Sequence, residues 1–102
     1  MKLKDLQKKV VQNALNYGKE YNIKIDREFA MLKLYEELGE FAQAVLISEK
    51  KSRPEKYISE EKAKDEMAKE LADVMGMVLV NAHLLDIDLE EALEKKWLNN
   101  KR

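Results

Sequence analysis

Apolar positions recur every three or four residues along almost the whole chain, the spacing of one face of an α-helix. Leu3, Leu6, Val10, Ala14, Tyr17 and Tyr21 predict a first helix over about residues 3–21. Asp26 is placed to cap a second helix over about residues 27–50, with Glu28 in the first turn, where the helix dipole favours an anion. The polar stretch 51–59 contains the only proline, Pro54, and reads as a loop; the Ser52–Glu55 spacing of a capping box would also let the third helix begin early. That helix continues to about Leu85. Asp86 and Ile87 make a tight connection, and Asp88 with Glu91 predicts the capped start of a fourth helix reaching about Asn100. Short links between long helices imply antiparallel packing, so the expected fold is all-α and four-helix bundle-like, a single domain over residues 1–102.

The distribution of side chains around these helices is unusual. On the second, Met31, Leu34, Leu38, Phe41, Ala42 and Val45 form an apolar stripe, and Glu36, Glu37 and Glu40 lie nearly opposite it within an arc of about 100°. A solvated face would carry more charges along its length. Here the arc is continued by Phe29, Ala44 and Ile47, and its like charges repel one another at helical spacing. Lys33 can neutralise one of them at most. The third helix reads LADVMGMVLVNAHLL over residues 71–85, apolar all round apart from Asp73, Asn81 and His83. Such a helix belongs at the centre of a bundle or in an interface between subunits, so Asp73 is expected to be at least partly buried. Glu70 shares its face, Glu66 stands a turn earlier, and no basic partner is present there. Two helices that turn clustered carboxylates towards a common interior build sites for hard divalent cations. Oxygen donors without His or Cys favour Mg²⁺ or Mn²⁺ over zinc.

Composition narrows the reading further. The 19 Lys+Arg and 20 Asp+Glu nearly cancel, which argues against a nucleic-acid binder held by bulk positive charge. The absence of Cys excludes disulfides, thiolate nucleophiles and Cys-based zinc sites. The charged opening MKLKDLQKKV is neither a secretory signal nor a membrane span, so a soluble cytoplasmic protein is expected. With so short a chain and so apolar a third helix, the protein is expected at least to form a homodimer.

The two acidic clusters read E-E-L-G-E (Glu36, Glu37, Glu40) and E-L-A-D (Glu70, Asp73). Together with K-L-Y-E-E-L-G-E around the first and D-L-E-E-A-L-E-K-K-W-L-N-N near the end, this order resembles the all-α nucleoside triphosphate pyrophosphohydrolases. That superfamily contains MazG, the dimeric dUTPases and phosphoribosyl-ATP pyrophosphohydrolase, and the chain looks like a small MazG-like member over about residues 33–100. The resemblance implies Mg²⁺ coordination by Glu37, Glu40, Glu70 and Asp73. It also implies an accessory role for Glu36, which would orient or deprotonate the attacking water or hold a further ion. Lys96 would meet the phosphates and Asn100 the sugar or base, and the four-residue interval places that pair on one helix face. Asn99 and Lys95 are one-residue alternatives. Trp97 can stack on a base or pack, and Lys33 can meet a phosphate or pair with Glu36 or Glu37. His83 reads as structural or interfacial, and Asn81 as pocket floor or interhelical hydrogen bond.

The expected activity is Mg²⁺-dependent hydrolysis of canonical or modified nucleoside triphosphates to the monophosphate and pyrophosphate, a clearing of the nucleotide pool. Hydrolysis of phosphoribosyl-ATP and a catalytically silent helical interaction protein are the competing readings.

Overall fold

The computed structural model describes residues 2–99, and among these the regular structure is helical. Helix α1 spans Leu3–Tyr21, α2 Arg27–Ser48, α3 Glu60–Leu84 and α4 Leu89–Leu93. A 3₁₀ turn, Pro54–Lys56, interrupts the α2–α3 connection, and a π-helical turn, Glu94–Leu98, follows α4. No helix among the described residues is long and apolar enough to cross a membrane.

Local chemistry accounts for most boundaries. Helix α1 stops at Asn22, which adopts the left-handed conformation (φ 54°) tolerated by its short polar side chain. The Ile23 amide then donates to the Gly18 carbonyl at 2.8 Å. A Cβ at Gly18 would come within 2.7 Å of both the Ile23 carbonyl oxygen and Ile25 Cγ1, so this reversal needs glycine. The Asp26 side chain caps α2 by accepting from the Phe29 amide at 2.9 Å. At the far end Lys50 has φ 59°, and the Lys51 amide closes on the Leu46 carbonyl at 2.8 Å, which ends α2 at Ser48.

Ser52 does not open the third helix. Its carbonyl accepts a hydrogen bond from the Tyr57 hydroxyl at 2.5 Å, and Lys50 Nζ lies 4.8 Å from the Tyr57 ring, which folds the loop onto itself. Pro54 starts the 3₁₀ turn, Tyr57 is extended, and Ser59 caps α3 from the Lys62 amide at 3.2 Å. The fourth helix also differs from expectation. Asp88 caps it from the Glu91 amide at 3.0 Å, but its α-helical bonding gives way to a π turn at Glu94 rather than running to Asn100. Asn100 itself lies outside the described residues.

Helix α3 is central: α2 packs extensively on it and α1 makes a smaller contact with it, whereas α4 runs directly into the π turn. The core gathers at the Asp26 end, where Val11, Ala30 and Val80 are buried with Val10, Ala14, Ile25, Met77 and Leu84 around them. The apolar stripe of α2 is not this core. Ala30 and Glu37 are the buried residues of α2, while Met31, Leu38 and Ala42 are exposed. Glu37 and Glu40 of the acidic arc therefore meet α3, while Glu36 and, from the stripe, Met31, Leu38 and Ala42 turn away.

Candidate metal centre

Glu37 and Glu40, one turn apart on α2, meet Glu70 and Asp73, one turn apart on α3. Each of the four can offer a carboxylate oxygen such that all lie within 4.8 Å of one another. Antiparallel packing produces this convergence, because i,i+3 pairs on two facing helices stack into one square of acids. Glu37 is 7% exposed, although it is a carboxylate. Burial of an acid without a cation is costly, and two oxygens show the cost directly: Glu37 Oε2 and Glu70 Oε2 are both buried without a hydrogen-bond partner.

The charge balance points the same way. The Glu37 carboxyl is pushed up from 4.5 to about 7, first by burial, then by the neighbouring charges of Glu40 and Asp73 and a hydrogen bond shared with Asp73; Lys33 opposes the shift. The Glu70 carboxyl is also raised, by loss of water and then by Glu40 and Asp73. These acids hold one another in an unfavourable state that a divalent cation relieves. Hard oxygen donors at this spacing fit such an ion.

Asp73 is exposed, contrary to its expected burial. It stands at the mouth of an opening of about 430 Å³ between α1 and the α2–α3 pair, lined by Asn13, Tyr17, Phe29, Lys33, Glu37 and Met77 among others. A second opening of about 210 Å³ lies on the other side of the cluster, lined by Glu40, Gln43, Ile47, Ile58, Glu66 and Glu70. Both adjoin the acids. The contributions of Asn13 and Tyr17 were not legible in the sequence, where their helix shows only the ordinary periodicity of a packing face.

The remaining candidates are scattered around this centre. Glu36 is exposed and outside the four-acid group; Lys33 Nζ holds its Oε1 at 2.5 Å and lies 3.9 Å from Glu37 Oε1. The Lys33 ammonium is correspondingly raised in pKa, chiefly by that hydrogen bond. Asn81 bridges helices instead of flooring a pocket, donating to the Ala30 carbonyl at 2.9 Å and the Met77 carbonyl at 2.7 Å. His83 sits at the far end of α3, beside Lys4, Gln7, Asp86 and Asp88. Lys96 and Trp97 lie in the exposed π turn, and neither opening beside the acids is lined by a described residue beyond Val80.

Comparison with known proteins places these residues in a family. Neither the curated proteins nor the solved structures show a match to the chain. The family model for the MazG nucleotide pyrophosphohydrolase domain matches residues 25–99, a span that contains all four acids of the cluster and the helices that carry them. The chain therefore belongs to the MazG nucleotide pyrophosphohydrolase family.

Proposed function

We propose that the protein is a cytoplasmic Mg²⁺-dependent pyrophosphohydrolase that converts canonical or modified nucleoside triphosphates to monophosphate and pyrophosphate, working as a homodimer or a dimer of dimers. The observation that carries this reading is the convergence of Glu37, Glu40, Glu70 and Asp73 with two orphaned, buried carboxylate oxygens. Those four residues would hold the cation. When bound, Mg²⁺ (or Mn²⁺) supplies positive charge to phosphate oxygens and lowers the pKa of water.

The chain's own groups do the rest. Glu36, just outside the cluster and paired with Lys33, orients the attacking water and accepts its proton. Glu37, whose carboxyl is raised to about 7, loses its proton when it joins the other three acids in holding the ion. The opening between α1 and α3 gives the nucleoside a recess bounded by Tyr17 and Phe29. Lys96 and Asn100 meet the phosphates and the sugar or base, and Trp97 stacks or packs nearby.

The test is product analysis with canonical and modified dNTPs. Equimolar monophosphate and pyrophosphate, lost with a chelator and restored by Mg²⁺, is the expected result. Release of diphosphate and orthophosphate, or no turnover together with no calorimetric Mg²⁺ binding, overturns the assignment.

A further inference from the structure

Gly76 lies in the interior of α3, one turn beyond Asp73. Glycine weakens a helix relative to alanine, because it has more backbone freedom to lose on folding. The fold gives it no local reason to be here. Its φ is not positive, so alanine can adopt the same backbone. A Cβ at this position would meet Val10 Cγ1 at 3.8 Å, an ordinary van der Waals contact, and nothing else beyond its own turn of helix. Gly18 is the contrast: a Cβ there would strike the Ile23 carbonyl oxygen and Ile25 Cγ1 at 2.7 Å. Gly76 therefore leaves room that no other part of the described chain takes up.

That room belongs to the opening of about 430 Å³ between α1 and the α2–α3 pair, a volume within the range of small-molecule pockets. Ala72, one turn before Gly76, and Ala14 on α1 line it too, so both helices present small residues there. Tyr17 and Phe29 supply aromatic surface. Side chains on a helix lean towards its N-terminus. Any side chain at position 76 would thus lie over the turn that carries Asp73 and narrow the passage from the recess to the carboxylates. Small residues alone are an ordinary packing device, but a second feature points to a ligand. Glu37 lines the same opening, is 7% exposed, and leaves Oε2 without a hydrogen-bond partner. The recess connects a bare stretch of helix with a buried, unsatisfied carboxylate.

We propose that Gly76 determines which nucleosides the site accepts, by keeping the recess wide enough for a two-ring, purine base stacked on Tyr17 or Phe29. This rests on the pyrophosphohydrolase reading for the triphosphate held at the acids, and adds the class of base. A purine needs more room than a pyrimidine and offers a larger face to an aromatic ring. The helix gives up some stability at Gly76 to provide that room. Gly76→Leu fills the same space, and a two-ring base loses more by it than a one-ring base.

The test is calorimetric binding, with Mg²⁺, of the non-hydrolysable α,β-methylene analogues of dATP and dCTP, alongside pyrophosphate release from the natural dNTPs. The wild-type chain should bind the purine analogue roughly tenfold more tightly, and Gly76→Leu should abolish that preference. Equal affinities in the wild type, or an unchanged ratio in Gly76→Leu, overturn the proposal. Gly76→Ala guards against a leucine variant that fails to fold, because its methyl group has an ordinary contact at 3.8 Å. It should shift the purine preference in the same direction by a smaller factor, and raise the midpoint of urea unfolding. A lowered midpoint would show that the glycine serves packing, and overturns the proposal as well. Purine-selective binding that Gly76→Leu removes, without pyrophosphate release from any dNTP, leaves the role of Gly76 standing and removes the pyrophosphohydrolase reading. Pyrophosphate release without purine-selective binding does the reverse.

Discussion

The side-chain amide of Asn81 on α3 donates to the carbonyl of Ala30 on α2 across 2.9 Å. Ala30 precedes Glu37 by seven residues and Asn81 follows Asp73 by eight, spans of about 10 and 12 Å along antiparallel helices. The bond therefore fixes the register at which the two carboxylates meet, without touching either. Asn81→Ala should cost roughly 1–2 kcal/mol in urea unfolding and weaken Mg²⁺ binding in calorimetry, because the two helices lose the bond that sets their register. Unchanged Mg²⁺ affinity in a destabilised variant would separate the register from the site.

The raised Glu37 carboxyl makes the metal-free protein sensitive to pH. Its folded value of about 7 lies above the ordinary 4.5, so the folded state keeps a proton that the unfolded chain has already lost. The resulting stabilisation is fully present below about 4.5 and is lost as pH rises through about 7. Its ceiling is about 3 kcal/mol at 1.36 kcal/mol per unit. In chelator, the melting temperature should fall by roughly 10 °C between pH 5 and pH 8. Mg²⁺ should restore it at pH 8 and do little at pH 5, where protons compete for the same oxygens. A flat profile in chelator would show that Glu37 is not strained by its neighbours.

What the sequence disclosed follows from the range of each interaction. Asp26 and Asp88 cap their helices as expected because a cap is a bond to an amide three residues away. The acidic square was legible because i,i+3 spacing is a property of the helix itself, and only the facing of α2 and α3 had to be supplied. Periodicity marks a face as apolar without saying what covers it, so the stripe through Met31 and Leu38 gave no sign that it would be exposed within one chain. The exposure of Asp73 follows from the opening left where α1, α2 and α3 meet, which no local pattern encodes. The π turn at Glu94 likewise interrupts a stretch whose composition is favourable for an α-helix throughout.

Glu37→Gln should separate stability from function. The amide keeps the shape of the side chain but removes a buried charge that faces two other acids. In chelator at pH 8 the variant should unfold later than wild type, by about 1–3 kcal/mol. Mg²⁺ should no longer stabilise it, and Mg²⁺-dependent pyrophosphate release should disappear. Asp73→Asn should lose activity equally but gain less stability, because Asp73 is exposed. Full activity in either variant would remove the four-acid centre from the mechanism.

Lys33 tests whether a cation at the mouth of the site serves the acids or the substrate. Its ammonium lies 3.9 Å from Glu37 Oε1, pairs with Glu36, and lines the opening between α1 and α3. In Lys33→Met the acids lose a competing positive charge, so Mg²⁺ should bind more tightly in calorimetry. A triphosphate loses a binding contact, so KM should rise about tenfold, equivalent to about 1.4 kcal/mol, while kcat stays within a factor of about three. A fall in kcat with unchanged KM would place Lys33 with Glu36 in orienting the water, and tighter Mg²⁺ binding with both constants unchanged would leave it as a counter-ion to the cluster alone.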